Sequence, residues 1–449
     1  AAKVHKMLKT ELMTKMDYAW YRMDTKHNLM VINVAMMFEG KPDIRVLRQT
    51  ISERLAAYPR FSQRVVLQYK QPVWQEVPHF DPASHVEYRR LPKAWAQDKL
   101  QHYLSSLSSV PLDKNRPLWM MSVLENPESG FAIVFRLHHC VADGIAMMHI
   151  ISQLTDELGA TGRPPVQAAP AETDSIINRS LKNGAHLAAV ALETGKLATL
   201  ISDTRSQMKG KPGGAKQVCW SESLSLDQVK IVGKRHAATV NDVLCGAISG
   251  ALRDYLAETG DTAHGGTIRA AVTLNLRDKA KAHELGNHFG LIALTMNTGL
   301  NEPLARLQQV QTSLQQLKAS RQAHATHAVL SIAGHLPLPL QHLALNMFTD
   351  KGTMVISNLE GPSSERALAG QRMTDLLFWV PQTGNIGLGM SIVSYAGKIR
   401  FGLFADQKLV RQPQRMMALC CDHFRKLAQA VSHPQAQVQT SDQAMPQLA

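Results

Sequence analysis

The sequence predicts an α/β protein of two domains joined by a helical crossover. Strand-type and helix-type segments alternate over residues 29–158, and the alternation resumes over residues 226–431. Between them lies a stretch with breakers at both ends, the proline- and glycine-bearing residues 159–170 and the run Lys209-Gly210-Lys211-Pro212-Gly213-Gly214. The chain has 449 residues, enough for two large domains with full cores. The expected division is a first domain over residues 1–164, a helical linker over 165–215 and a second domain over 216–449.

Residues 29–38 read as the first strand. Ile44, Leu47, Ile51 and Leu55 share one face of a helix over residues 44–58, which Pro59 ends. Residues 65–68 and 73–76 form a hairpin. Residues 119–124 and 131–137 are apolar strands separated by the polar turn at 126–130, and residues 145–158 are helical. Residues 176–208, rich in Ala and Leu, read as a long helix. In the second half, residues 226–234, 240–257, 304–320 and 413–431 are predicted helices. Residues 267–276, 290–296, 355–358, 387–395 and 398–403 are predicted strands, and the tail after Ser432 is polar.

Lys and Arg outnumber Asp and Glu by 49 to 36, a formal charge of +13. That excess suits membrane headgroups or phosphates. It does not point to nucleic acid, because the chain has no arginine-rich arm, zinc-finger spacing or RNA-binding aromatic signature. The five cysteines, Cys140, Cys219, Cys245, Cys420 and Cys421, are odd in number and form no CxxC pair. Neither a disulfide framework nor a structural zinc site is expected, and a reducing cytoplasm is. Residues 1–16 lack the apolar run of a signal peptide. No 18 apolar residues run together, so contact with a membrane is expected to be peripheral.

The chemistry concentrates in His138-His139-Cys140-Val141-Ala142-Asp143-Gly144, between a strand and a helix. Strand alternation places His139 on the face of Ile133, Phe135 and Leu137, and His138 on that of Val134 and Arg136. A neutral imidazole projecting from an apolar face suits a general base, since its reference pKa is about 6.5. Gly144 allows a tight turn, and Asp143 can brace the loop against an arginine. A metal site from His138, His139 and Asp143 is disfavoured, because adjacent strand residues point apart and the spacing is not that of helical ligands. Cys140 shares the face of His138 rather than His139, which argues against a nucleophile there. From these seven residues alone, a strand-end histidine satisfied by backbone groups stays open.

HHxxxDG at the end of a strand resembles the bacterial wax ester synthase/diacylglycerol acyltransferase family, part of the class built like chloramphenicol acetyltransferase and condensation domains. Other segments agree in order along nearly the whole chain. Pro111-Leu112-Asp113 and Arg116-Pro117-Leu118-Trp119 resemble the family's PLW segment, and Asn241-Asp242 its ND motif. Leu285-Gly286-Asn287-His288-Phe289-Gly290 resembles its GN segment. Ser357-Asn358-Leu359-Glu360-Gly361-Pro362 resembles its SNVPGP segment. Ser394-Tyr395-Ala396-Gly397, Phe401-Gly402-Leu403 and Ala405-Asp406 resemble its last hairpin. One departure is Leu359-Glu360, where the family has valine and proline.

The resemblance implies two chloramphenicol-acetyltransferase-like α/β domains with a channel between them. It implies long-chain acyl transfer from acyl-CoA to a fatty alcohol or diacylglycerol, giving wax ester or triacylglycerol plus CoA. His139 would deprotonate the acceptor, and such assistance is typically worth roughly 10²–10⁴-fold. An activated thioester needs no covalent enzyme intermediate. His138, Asp143, Gly144 and Asn241 complete the implied catalytic set, with Arg277 as the partner of Asp143 and Asp242 in support. Asn241 would donate near the acceptor or oxyanion, or else cap its helix. Pro117, Leu118, Trp119, Asn287 and Asn358 are the implied substrate contacts, although a tryptophan such as Trp119 is more often core than contact. No metal or bound cofactor is implied, and acyl-CoA is the co-substrate.

A palmitoyl chain buries about fifteen methylenes at about 0.8 kcal/mol each, which calls for an interior tunnel at the domain interface. Residues 330–348, apolar and carrying Pro337 and Pro339, are expected to be a lipid-facing entrance or a buried helix hairpin. The expected partners are acyl-CoA, the lipid alcohol, an anionic membrane or lipid-droplet surface, and a second copy in a homodimer. The expected location is cytoplasmic, at the inner membrane or lipid inclusions. Competing readings are an acyltransferase for an amine or short alcohol, a non-catalytic lipid carrier and a metal-dependent hydrolase. Aromatic residues make up only 6% of the chain, which argues against a site built for aromatic acceptors.

Overall fold

The computed structural model describes residues 9–91, 97–126, 129–159, 184–278 and 284–432. Most of the expected loop at 159–170 and the first part of the expected helix at 176–208 lie outside them.

The strands of the first half build a seven-stranded sheet. Its order is β5 (Val86–Arg90), β6 (Trp119–Asn126), β7 (Gly130–His138), β2 (Val31–Phe38), β15 (Gln371–Trp379), β14 (Arg366–Leu368) and β8 (Asp156–Glu157). The centre is antiparallel, with Trp119 opposite Leu137 and Val31 opposite His138. Every residue of β7 is buried, because both faces of the sheet are covered. Ile133, Phe135 and Leu137 pack with α2 (Ile44–Leu55) and α4 (Gly144–Leu154). Ala132 and Val134 pack with α3 (Gln97–Ser108). Asp43 caps α2 by accepting from the Arg45 and Val46 N–H groups, and Leu47, Ile51 and Leu55 form its buried stripe. The expected hairpin is present as β3 (Gln63–Gln68) and β4 (Gln71–Glu76), with β1 (Thr10–Leu12) on the outer edge of β4. α1 (Lys15–Met23) follows β1.

The second sheet runs β10 (Leu224–Ser225), β17 (Lys398–Asp406), β16 (Leu388–Tyr395), β13 (Met354–Glu360), β11 (Thr267–Asn275) and β12 (Phe289–Asn297), and β9 (Lys216–Trp220) also pairs with β17. β13 lies parallel to both β11 and β16. Its core is shared with α6 (Leu226–Arg235), α7 (Val240–Glu258), α8 (Pro303–Ala319) and α11 (Pro413–Ser432).

Two details differ from the sequence reading. The helix expected to reach 158 stops at Leu154, because Asp156 and Glu157 turn out as β8 to pair with β14. The helix within the expected linker, α5 (Gly184–Thr199), ends well before Met208. Beyond it the Asp203 carboxylate accepts from the Arg269 N–H and the Thr353 hydroxyl, tying an extended segment to the second sheet. The apolar stretch at 330–348 is a pair of helices, α9 (Gln322–Ala333) and α10 (Leu338–Thr349). Leu330 and Leu345 enter the core, while Ile332, Leu338, Leu340 and Leu343 are 46–60% exposed. Among the described residues no helix is long and apolar enough to cross a membrane.

The two halves interleave. β15 comes late in the chain yet lies beside β2, with Leu377 opposite Ala35. The core around β7 continues through Leu285, Phe289, Val355, Leu359 and Ile386. One buried ion pair locks β9 to β17 within the second sheet, and its lysine also reaches the first half at Asn28. Lys216 Nζ donates to Asp406 Oδ2 at 2.9 Å, to Asn28 Oδ1 at 2.9 Å and to Gln382 Oε1 at 3.1 Å, so its three protons meet three acceptors. Breaking a buried pair strands one charge. Lys216→Met is expected to lower the unfolding free energy by about 3–5 kcal/mol in chemical denaturation. A loss below about 1 kcal/mol, the range of an exposed pair, would contradict this role.

Candidate active site

β7 delivers two histidines to the seam between the halves. His138 ends the strand, its N–H donating to the Leu118 carbonyl at 3.0 Å. Its Nδ1 accepts from the Cys140 N–H at 3.2 Å, turning the chain. Its Nε2 lies 3.8 Å from the Asp24 carboxylate, and its ring packs against Tyr21. Burial pushes the His138 pKa down to about 3, so the ring is neutral and serves the turn.

His139 lies one residue past the strand, and its N–H donates to the Met30 carbonyl at 2.7 Å. The ring stacks on Trp20, with centroids 4.1 Å apart and planes at 9°, and Phe289 leans on it at 5.6 Å. Nδ1 lies 2.8 Å from Asn287 Oδ1. The Asn287 orientation is fixed by its other end. Nδ2 donates to the His139 carbonyl at 2.7 Å and to Asp17 Oδ1 at 2.8 Å, both acceptors. Oδ1 must therefore face the ring, and since it can only accept, Nδ1 carries the proton. The lone pair remains at Nε2. Burial lowers the His139 pKa below its ordinary value, although the Asp143 charge and the Asn287 contact oppose the shift. The ring is thus neutral near pH 7.

Asp143 caps α4, accepting from the Ala146 N–H at 3.0 Å. Arg277 meets it bidentately, with Nη1 to Oδ1 and Nη2 to Oδ2 both at 3.0 Å, as the sequence reading anticipates. The His288 N–H adds a bond at 2.9 Å. Burial pushes this carboxyl up, but the guanidinium and the backbone donors outweigh it and hold the pKa below the usual carboxylate value. Gly286, at φ +94°, donates to the Val141 carbonyl and accepts from the Asp143 N–H, so the two motif loops zip together.

A cavity opens beside this assembly, lined by His139, Thr273, Asn275, Ser357, Asn358 and Leu359 among others. Gly144 also borders it. A Cβ there would come within 2.8 Å of both Leu359 methyls, so the glycine serves close approach rather than the tight turn expected of it.

Several implied contacts belong elsewhere. Leu118 and Trp119 are 1% exposed, and none of Pro117, Leu118 and Trp119 lines the cavity. Trp119 donates to the Phe61 carbonyl and packs edge-on to Phe61 and Phe135. These three are buried and form core rather than substrate contacts, because the chain here enters β6, an interior strand covered on both faces. Asn287 touches His139 rather than the cavity. Asn241 is not the helix cap. Thr239 caps α7 in a capping box with Asp242, which explains the burial of Asp242. Asn241 Oδ1 instead accepts from Asn358 Nδ2 at 3.1 Å. Cys140 is fully buried, which raises its thiol pKa far above the range of a usable thiolate.

Asp17, Trp20 and Phe289 complete the surroundings of His139; the sequence reading includes Phe289 in a motif without a role and passes over the other two. Thr14-Lys15-Met16-Asp17 carries the S/T-x-x-D/E signature of a helix start, which would have located α1. Among the described residues, no group of three or more His, Cys, Asp or Glu side chains is arranged to hold a metal.

Residues 13–244 match the wax ester synthase/diacylglycerol acyltransferase catalytic domain, and residues 285–428 match the WS/DGAT C-terminal domain. A Mycobacterium tuberculosis protein named probable diacyglycerol O-acyltransferase tgs1 is 27% identical over 420 residues, covering 86% of this chain and 88% of that one. Wax ester synthase/diacylglycerol acyltransferase 5 of Arabidopsis thaliana is 25% identical over 469 residues, 90% of each chain. The structure of the wax ester synthase/diacylglycerol acyltransferase from Marinobacter aquaeolei VT8 superposes with a TM-score of 0.71 at 21% identity, covering 94% of this chain and 100% of that one. The TRI3 trichothecene 15-O-acetyltransferase from Fusarium sporotrichioides superposes with a TM-score of 0.67 at 11% identity, covering 94% and 95%. These superpositions show the fold expected from the motifs, that of CoA-dependent acyltransferases and condensation domains. With both family domains matched across the two sheets that meet at His139, the chain belongs to the wax ester synthase/diacylglycerol acyltransferase family.

Proposed function

We propose that this acyltransferase moves a long-chain acyl group from acyl-CoA to a fatty alcohol or diacylglycerol, with His139 as general base. The observation that carries the reading is the Asn287 contact at Nδ1, which leaves Nε2 as the ring's free lone pair. Nε2 takes the acceptor's hydroxyl proton as the oxygen attacks the thioester carbonyl. The tetrahedral intermediate collapses with C–S cleavage, and the imidazolium returns its proton to the departing CoA sulfur. No covalent acyl-enzyme is needed, and the buried thiol of Cys140 plays no part. Asp143 and Arg277 act as a brace: together nearly neutral, they hold the His139 loop against the Asn287 loop. Asn358 borders the cavity and is steadied by Asn241, so the pair is suited to orient the acceptor or the developing oxyanion.

The surroundings support a lipid substrate. A second cavity begins at Trp20, the residue stacked on His139, and is walled by Met23, Leu291, Leu330, Leu345 and Val355. Such an apolar lining suits an alkyl chain. Outside, the exposed leucines of α10 adjoin a basin lined by Lys15, Arg22, Lys70 and Lys114. Exposed apolar side chains beside cations support docking on an anionic membrane or lipid-droplet surface.

His139→Ala is expected to lower hexadecanol-dependent CoA release from palmitoyl-CoA by at least about 100-fold, whereas equal release by both proteins would make the histidine structural. Arg277→Ala tests the brace. The depressed Asp143 pKa contributes stability that is present above the ordinary value of 3.8 and is lost as the pH falls through the lower folded value. Without the guanidinium, burial dominates, the Asp143 pKa rises and acid unfolding is expected at a higher pH than in the wild type. Coincident transitions by circular dichroism would refute this. Leu340→Glu with Leu343→Glu is expected to reduce flotation with anionic liposomes, and unchanged flotation would remove the docking face.

A further inference from the structure

We infer that Asp17 is a positioning residue for the acyl transfer, fixing through Asn287 the orientation and tautomer of His139. The inference rests on the proposed role of His139 as base and extends that role to a side chain on a separate helix.

Asp17 occupies the first turn of α1 and is 4% exposed. Its N–H donates to the capping hydroxyl of Thr14 at 3.1 Å. Its Oδ1 accepts from Asn287 Nδ2 at 2.8 Å, and the second proton of that amide goes to the His139 carbonyl. A flipped Asn287 would press its carbonyl oxygen against a carboxylate and a backbone carbonyl together. It would also offer an N–H to His139 Nδ1, driving the ring proton to Nε2 and removing the base. Without Asp17, only one acceptor would oppose the flip. The carboxylate therefore decides which end of the amide meets the imidazole.

Two further observations fit positioning rather than simple packing. Trp20, three residues on and so on the same helical face, stacks on His139, so α1 grips the ring by its plane and, through Asn287, by its edge. A buried carboxylate is also costly where an apolar residue would fill the space. Burial raises the Asp17 pKa to about 6, while the Asn287 and Thr14 contacts and the charge of Arg60 restrain it. It is thus an acceptor at neutral pH.

The test uses the full-length enzyme with palmitoyl-CoA and hexadecanol, measuring kcat, KM for both substrates and thermal stability for four variants beside His139→Ala. Asp17→Ala should lower kcat by roughly 10–100-fold, the scale of losing a partner that orients a metal-bound histidine, with both KM values within about threefold. Asp17→Asn retains an acceptor oxygen of the same shape and should recover most of that loss. Asn287→Asp sets two carboxylates face to face and should lose activity. Adding Asp17→Asn lets the new amide donate to the new carboxylate, and this double variant should exceed Asn287→Asp by at least about tenfold in kcat. Independent losses in the double variant would overturn the inference. So would an unchanged kcat in Asp17→Asn and Asp17→Ala while His139→Ala is inactive. An active His139→Ala would instead sink the general-base reading itself.

Discussion

The Asp143–Arg277 pair is the contact on which the site depends. It joins the loop after β7 to the loop between β11 and β12, and each loop carries half of what His139 needs. The bidentate geometry admits one relative placement of the two loops. The backbone bonds through Gly286 and His288 then follow, and Asn287 arrives opposite the imidazole. Removing either charge would bury the other without a partner, so the pair is specified as a unit. The Lys216–Asp406 pair holds β9 against β17 within the second sheet, and its lysine carries one further bond across to Asn28.

Burial sets the chemistry. An imidazole between Trp20 and Phe289, away from water, favours its neutral form, which is the form a base requires. The same exclusion of water protects a thioester from hydrolysis and strengthens every polar contact the reacting atoms make. The neutral ring is useful only if its proton sits on the nitrogen facing the protein. A single amide secures that, read on one side by a carboxylate and a carbonyl. Under the proposed role of His139, the α1 helix belongs to the catalytic apparatus although it lies more than 100 residues from the histidines in the chain.

What was legible in the sequence was local. β7 and its loop were readable because strand alternation, a turn and a helix start follow one another within about twenty residues. The partnership of Asp143 and Arg277 was anticipated from the family's pattern and is present. The long-range contacts were not legible. Asn287 was assigned to substrate because a motif asparagine near a site gives no sign of which way its amide points. Trp119 reads as core or contact, and only the covering of β6 on both faces decides it. Asn241 lost its capping role to Thr239, two residues earlier, where the Thr-x-x-Asp spacing was visible. α1 was overlooked because its charged residues mask Met16, Ala19, Trp20 and Met23, which share one buried side. No local pattern could say that β15 would cross into the first sheet, since strand order is set by packing between halves.

The most direct test of a buried, neutral histidine acting as base is the pH dependence of kcat/KM for palmitoyl-CoA with hexadecanol in excess. Burial lowers the His139 pKa below its ordinary value of about 6.5, so activity should hold its plateau below 6.5 and fall at more acid pH. An acid limb with an apparent pKa at or above 6.5 would contradict the account, because it would describe a solvent-exposed or charge-stabilised imidazole rather than the one held between Trp20 and Asn287.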